Sequence, residues 1–263
     1  ISYGIAVDLD SNIIVTGLYQ ANNLTIFNAP NGSVASGISL GNTNPVTTDA
    51  FIVKYSASGS AIWATRIGGV SYEYGMSLAV DRQNNIIVGG GYESEPVTIY
   101  NTPNGTVSAL QLVNDGGVDA FIVKYNQNGV ALWGTRITGT NGEIIESVAT
   151  DCDSNILVMG SFLSNPIVLY NADGTAGPSL VNVGASDSFI AKYHRDGRVL
   201  WAAKQAGGEI DEGLAVTADY CNNIIGTGLY FSNPLVLYNS NGSSAATLVN
   251  SGFSDVFVVK YVD

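Results

Sequence analysis

The chain has 263 residues, 46% of them hydrophobic and only 12% charged, with 22 acidic against 10 basic side chains and a formal net charge of −12. The apolar content is ample for a core and excludes a disordered chain. The acidic balance lacks the clustered surplus of cations that nucleic acid or an anionic membrane surface requires, and no apolar run approaches the roughly 20 residues of a spanning helix.

Read from the N-terminus, the chain opens at Ile1 with neither Met nor a signal-like segment, as expected of a processed or excerpted form. Asp8-Leu9-Asp10-Ser11-Asn12-Ile13 then begins a pattern that returns at Asp81, Asp151 and Asp219, in steps of 73, 70 and 68 residues. A second anchor, Asp49-Ala50-Phe51-Ile52-Val53-Lys54-Tyr55, recurs from Asp119, Asp187 and Asp255, and a third occurs at Trp63, Trp133 and Trp201. A fixed long period means stacked or radially arranged copies of one supersecondary unit. The expected organisation is one domain over 1–263, with repeats at 1–73, 74–143, 144–211 and 212–263.

Within the second copy, Ser77–Val80 reads as strand A and Asp81–Asn85 as a tight turn. Ile86–Tyr92 follows as strand B, Ala120–Tyr125 as strand C and Ala131–Arg136 as strand D. Apolar runs of this length between Asn, Asp and Gly are strand signals, and there is no helical periodicity. Between B and C each copy carries an apolar run ending in Asn-Gly or Asp-Gly. Examples are Thr25–Ser33 and Thr98–Thr106, and the pattern predicts an extra hairpin projecting from the B–C edge with Asn31, Asn104, Asp173 and Asn241 at exposed tips. The expected fold is an all-β propeller of four four-stranded units, each with that hairpin.

The run Asp-Ala-Phe-Ile-Val-Lys-Tyr, a Gly turn, a Trp strand, Gly-Gly, an acid, Ala-Val-Asp and Ile-Ile-Val-x-Gly resembles the bacterial β-propeller repeat family (SBBP repeats). It is more distantly similar to NHL-type blades. The match is clearest over Asp49–Tyr92 and Asp119–Phe162. Ser11, Asn84, Ser154 and Asn222 depart from it where the family usually has Gly. The resemblance implies a place in large surface or secreted proteins and implies no shared catalytic site.

Asp8 and Asp10, with Asp151 and Asp153, have the spacing of the first half of a calcium loop, although its glycine and its later carboxylate are missing; a plain hairpin turn explains them equally. Asp8, Asp81, Asp151 and Asp219 would also form a carboxylate ring if the repeats closed around an axis, against the plainer role of capping their own turns. Lys54, Lys124, Lys192 and Lys260 lie inside apolar strands and call for carboxylate partners, with Asp49, Asp119, Asp187 and Asp255 or Glu73, Glu143 and Asp211 as candidates. The tryptophans, with Tyr19, Tyr92, Phe162 and Tyr230, suit inter-repeat packing before sugar stacking.

The single His194 sits in a C–D turn, and no catalytic set can be built on it; no enzyme activity and no cofactor are expected, calcium being the one alternative. Cys152 and Cys221 are expected as free thiols. Asn23, Asn31, Asn104 and Asn241 fit the N-glycosylation pattern. The fourth copy halts at Tyr261-Val262-Asp263, before a strand D, so Phe257, Val259 and Tyr261 are expected to form an open edge that recruits a strand. The resulting expectation is a non-catalytic structural, adhesive or assembly module of an extracellular or particle surface, partnered by itself or by further repeats. A carbohydrate-binding propeller is the alternative.

Overall fold

Valine, isoleucine and aromatic residues dominate the apolar runs, and branched side chains fit a pleated surface covered on both faces. The computed structural model describes residues 1–28 and 34–262, and in these every regular element is a strand. The first repeat contributes β1 (Ser2–Val7), β2 (Ile13–Tyr19), β3 (Asn23–Asn28), β4 (Val34–Gly41), β5 (Asp49–Tyr55) and β6 (Ala61–Gly68). The second gives β7 (Glu73–Val80), β8 (Ile86–Tyr92), β9 (Val97–Asn101), β10 (Val107–Leu112), β11 (Asp119–Tyr125) and β12 (Ala131–Thr138). The third gives β13 (Glu143–Thr150), β14 (Ile156–Phe162), β15 (Ile167–Tyr170), β16 (Ala176–Leu180), β17 (Asp187–Tyr193) and β18 (Val199–Ala206). The fourth has β19 (Asp211–Ala218), β20 (Ile224–Tyr230), β21 (Leu235–Tyr238), β22 (Ser244–Leu248) and β23 (Asp255–Tyr261).

The chain divides into two compact units, Ile1–Asn114 with Phe121–Gly134, and Asp115–Ala120 with Thr135–Asp263. In the first, β1-β2-β5-β6-β9-β10 form one antiparallel sheet. Its core is built from Ile14, Ile52, Trp63, Ile67, Leu78, Val88 and Ile99, all buried. In the second, β13-β14-β17-β18-β21-β22 form an equivalent sheet, and β19-β20-β23 a three-stranded one. Leu157, Met159, Ile190, Val216, Leu237 and Phe257 make its core.

The sheet order corrects the expected four-stranded unit with a projecting hairpin. The hairpin of each later repeat docks edge-on to strand D of the repeat before it. Ile67 and Gly68 of β6 face Ile99 and Thr98 of β9. Ile137 and Thr138 of β12 face Leu169 and Val168 of β15, and Gln205 and Ala206 of β18 face Leu237 and Val236 of β21. Backbone amides and carbonyls of an outer strand must find partners, and these hairpins supply them. The hairpin is tied to its own repeat as well: Asn28, Asn101 and Asn171 each accept, through Oδ1, the first amide of their own strand D at 2.8 Å. The tips differ accordingly. Asp173 and Asn241 are exposed, but Asn104 is half-buried beside a buried Gly105 whose carbonyl accepts from Arg66 Nε at 3.2 Å. Asn31 lies outside the described residues.

Two local constraints recur in every copy. Strand A carries a bulge, for example between Gly75 and Ser77, that brings its backbone over strand B. A Cβ at Gly90 would stand 1.7 Å from the Tyr74 carbonyl, and Gly17, Gly160 and Gly228 are equally crowded, so only glycine fits. In the A–B turn, Ser11, Asn84, Ser154 and Asn222 hold φ of 63°, 60°, 63° and 63°. That left-handed conformation is one that glycine adopts most readily and that Asn tolerates better than most residues.

Ile99 is fully buried and its backbone lies in the docking seam. Ile99→Ala is expected to lower the free energy of unfolding by about 2–5 kcal/mol. Urea denaturation checks the loss, and hydrogen exchange should show faster exchange at Ile67 and Gly68.

Candidate functional site

The polar residues that repeat in every copy gather at the two ends of the strands. At the A–B turn, Asp8 Oδ1 accepts the amides of Asp10 (3.0 Å) and Asn12 (2.8 Å), while Oδ2 accepts Asn12 Nδ2 (2.9 Å). Asp81, Asp151 and Asp219 cap their turns in the same way. The same carboxylates take the strand lysines: Lys54–Asp8 at 2.8 Å, Lys124–Asp81 at 2.9 Å, Lys192–Asp151 at 3.1 Å and Lys260–Asp219 at 2.8 Å. Neither set of acids named from the sequence as lysine partners fills that role. Lysine reaches from strand C across strand B to the turn, a partner that strand phase alone does not reveal.

Burial alone would push the Asp8, Asp81 and Asp151 carboxyls up, but hydrogen bonds from the lysine and from the turn hold each below its ordinary value. Hydrogen bonds from Lys260 and Asn223 lower Asp219 as well.

This arrangement does not fit a calcium loop. An ammonium stands on Asp8 and another on Asp151. The outer acids are engaged elsewhere: Asn84 Nδ2 donates to Asp10 Oδ2 (3.0 Å) while its Oδ1 accepts the Leu9 amide (2.9 Å). Asn222 does the same to Asp153 (2.7 Å) and to the Cys152 amide (2.9 Å). Among the described residues no group of three or more acids, histidines or cysteines could hold a metal ion. The Asp-x-Asp sequence is instead the acceptor half of a latch, and the asparagine at the left-handed position of the following repeat is the donor half.

A second cluster lies at the far end of the same strands. Asp49, Asp119 and Asp187 open strand C, and Glu73, Glu143 and Asp211 open strand A of the following repeat; all six are at most 1% exposed. Desolvation drives their protons on. Glu73 is pushed up to about 8, Glu143 to about 7, and Asp119 and Asp187 to about 6. The neighbouring Asp119 carboxyl adds to the rise at Glu143. The carboxyls of Glu73, Glu143 and Asp211 also accept the amides of Ser94, Ser164 and Ser232, each at 3.3 Å. Those serines are fully buried, and their hydroxyls accept the amides of Ser71 (2.8 Å), Asn141 (2.7 Å) and Glu209 (2.9 Å). Sequence reasoning missed them. Their signal is aromatic-x-Ser-x-Pro after strand B, present in copies two to four and absent from copy one.

The remaining candidates divide between core and surface. Trp63 is buried, and its Nε1 donates to the Gln127 carbonyl in the next C–D turn (3.1 Å). Trp201 packs on Tyr261 with ring centroids 5.3 Å apart, so both tryptophans serve packing rather than an open sugar platform. Tyr19, Tyr92, Phe162 and Tyr230 are buried. His194 Nδ1 lies 2.7 Å from Asp196 within its own turn. Cys152 and Cys221 are free. Asn23 and Asn241 are exposed. At the end of repeat four, the Phe257 and Val259 side chains point inward, Tyr261 is half-buried, and the exposed residues of that strand are Val256, Val258 and Lys260.

The chain is 36% identical, over 97% of its length, to an uncharacterised WD repeat-containing protein of Acanthamoeba polyphaga mimivirus, and it spans 20% of that protein. The likeness supports a β-propeller type of repeat for the all-β fold. No family model matches the chain. A crystal structure of a protein of unknown function from Bacteroides caccae aligns over 80% of this chain and 94% of that one, at 10% identity and a TM-score of 0.24.

Two predictions arise from the junctions. Lys54→Met leaves Asp8 charged and buried and is expected to cost about 3–5 kcal/mol, most of it recovered in Lys54→Met/Asp8→Asn; denaturant titration of the single and double variants checks both. The two carboxylate classes also oppose each other with pH. The raised acids contribute stability that is full below their ordinary values of 3.8 and 4.5 and is lost as pH rises through about 6 to 8. The lowered turn aspartates contribute stability present above 3.8 and lost on further acidification. Thermal stability is expected to peak at about pH 4, where the two windows meet, and to decline toward pH 8, with Glu73→Gln flattening the alkaline limb.

Proposed function

We propose that this chain is a non-catalytic module of propeller-type repeats that serves as a structural or assembly element of an extracellular or particle surface. The observation that carries the proposal is where its polar chemistry sits. Every acid whose proton affinity is raised far enough to serve as a general acid near neutral pH is at most 1% exposed, in a junction between repeats, where no substrate reaches it. The lysines that could act as nucleophiles in copies one to three are likewise buried and ion-paired.

Apolar surface points to association. Ile5 is 71% exposed although its counterparts Leu78 and Val216 are 6% and 7% exposed, and Val258 is 67% exposed where Ile52 and Ile190 are fully buried. Exposed apolar strips of this kind mark interaction surfaces. The low charge and the Asn-, Ser- and Thr-rich surface support a secreted or surface setting, and of the three described glycosylation candidates Asn23 and Asn241 are exposed while Asn104 is half-buried.

One observation favours the carbohydrate-binding alternative. A surface groove of about 310 Å³ in the second unit is lined by Lys204, Tyr238, Asn239 and Asn241 among others. Its aromatic face is already covered by Lys204, 4.8 Å from the Tyr238 ring centroid, and the Asn239 and Asn241 side chains are bonded to Ser243. Assembly is therefore the better reading.

Light scattering over a range of concentrations is expected to show self-association that Ile5→Lys weakens, with no retention on a glycan array. A strictly monomeric chain that binds sugars, with binding lost in Tyr238→Ala, would reverse the order of the two readings.

A further inference from the structure

The hairpin dockings leave different amounts of space beside strand D. At the first, the tip of the second repeat's hairpin folds back onto β6. The Ala64 amide donates to the Pro103 carbonyl at 3.3 Å, and Ala64 and Asn104 form a parallel bridge. Gly105 follows, its carbonyl accepting from Arg66 Nε at 3.2 Å. A Cβ on Gly105 would stand 3.0 Å from Arg66 Cγ and 3.4 Å from Leu40 Cδ2, so the turn lies against both side chains. A Pro-Asn-Gly turn thus fills the space between strand D, Leu40 of the return strand β4 and the docked hairpin. At the second docking Leu110 lies over Gly134, the counterpart of Ala64, where a Cβ would stand 2.9 Å from Leu110 Cδ1.

At the third docking the same space is open. The tip runs Asn239-Ser240-Asn241-Gly242-Ser243, one residue shorter than Asn101–Thr106 and without its proline, and Asn241 and Gly242 are exposed. Leu180 pairs with Ile167 as Leu112 does with Val97, which puts Pro178 at the place of Leu110. A groove of about 310 Å³ remains, lined by Pro178, Leu180, Ala202, Lys204 and Tyr238 among others. Four of these are the counterparts of Leu40, Ala64, Arg66 and Tyr100 at the first docking. Strand β21 pairs with β18 only at Gln205 and Ala206. Ala202 stands opposite Ala191 as Ala64 stands opposite Val53, so its amide faces the groove as the Ala64 amide faces Pro103.

From this match we infer that the groove is a binding site for a Pro-Asn-Gly turn of a partner protein. The proline carbonyl of that turn accepts the Ala202 amide, and its glycine carbonyl accepts from the Lys204 ammonium. These are the places that Ala64 and Arg66 hold at the first docking. Lys204 Nζ already donates to the Val181 carbonyl, and an ammonium has further hydrogens to give. A strand-edge amide beside a side-chain pocket holds a peptide through its backbone, and the pocket gives the specificity. The inference rests on reading the chain as an assembly module and names the chemistry of one contact.

The test uses the 263-residue protein, isotope-labelled for NMR, and the peptide Asn-Thr-Pro-Asn-Gly-Thr, the sequence of residues 101–106. Titration is expected to give saturable shifts in the amide signals of Ala202 and Lys204. A peptide with the Pro-Asn-Gly order reversed is expected to bind at least about tenfold more weakly. The same loss is expected for the original peptide on Pro178→Leu, which places a leucine in the groove as in the second repeat. Absence of saturation, equal binding of the reversed peptide, or shifts centred elsewhere would overturn the inference. So would dispersal of the chain's own self-association by the peptide, which would make a second copy the occupant. If the peptide fails while light scattering still shows self-association, the groove site is lost and the assembly reading survives.

Discussion

The structure depends on strand D having a neighbour on each side. A strand at the margin of a sheet carries a row of amides and carbonyls that folding cannot leave dry and unpaired. Here the hairpin of the following repeat supplies the second row, as at Ile67 with Ile99 and Ala206 with Val236. One covalent repeat thus finishes the sheet of another. The other junction features are placed by that docking: Arg66 lies 4.0 Å from the centroid of the Tyr100 ring on the docked hairpin, and Thr65 donates to the Tyr100 carbonyl at 2.7 Å. Adjacent repeats cannot part without opening a sheet.

Charge is used in two opposite ways along each strand. At the turn end an aspartate is kept ionised by an ammonium and by turn donors, so its burial costs little. At the other end the acids lie in pairs with too few donors, and protonation is the cheaper outcome. Arg66 relieves Asp49 only in part, since burial still raises that carboxyl.

Much of this architecture was legible in the sequence. The bounds of β8 agree with the run Ile86–Tyr92, and β11 and β12 differ from the expected strands only by Asp119 and by Ile137–Thr138. The expected strand A began at Ser77, but β7 begins at Glu73, because a bulge breaks the alternation and the first residue is a buried acid. A hairpin was expected in each copy, but its docking on the preceding strand D was not, since that partner lies a whole repeat away and no local pattern encodes it. The lysine partners were misassigned for a related reason: Asp8 and Lys54 are far apart in sequence and meet only because strand B lies between them. Asp-x-Asp suggested a cation because spacing reports how many oxygens are near, not which donors have already claimed them.

The latch between Asp10 and Asn84 has its counterpart between Asp153 and Asn222, and the intervening turns carry neither role the other way round. The chain therefore alternates acceptor and donor copies, and its smallest interchangeable piece is a pair of repeats. Removing the second repeat alone would set the acid of Asp10 before the serine of Ser154, which has no amide to offer. Removing the second and third together would restore an asparagine, Asn222, at that place. In this chain the latch is thus a property of repeat pairs, written in two side chains of a five-residue turn.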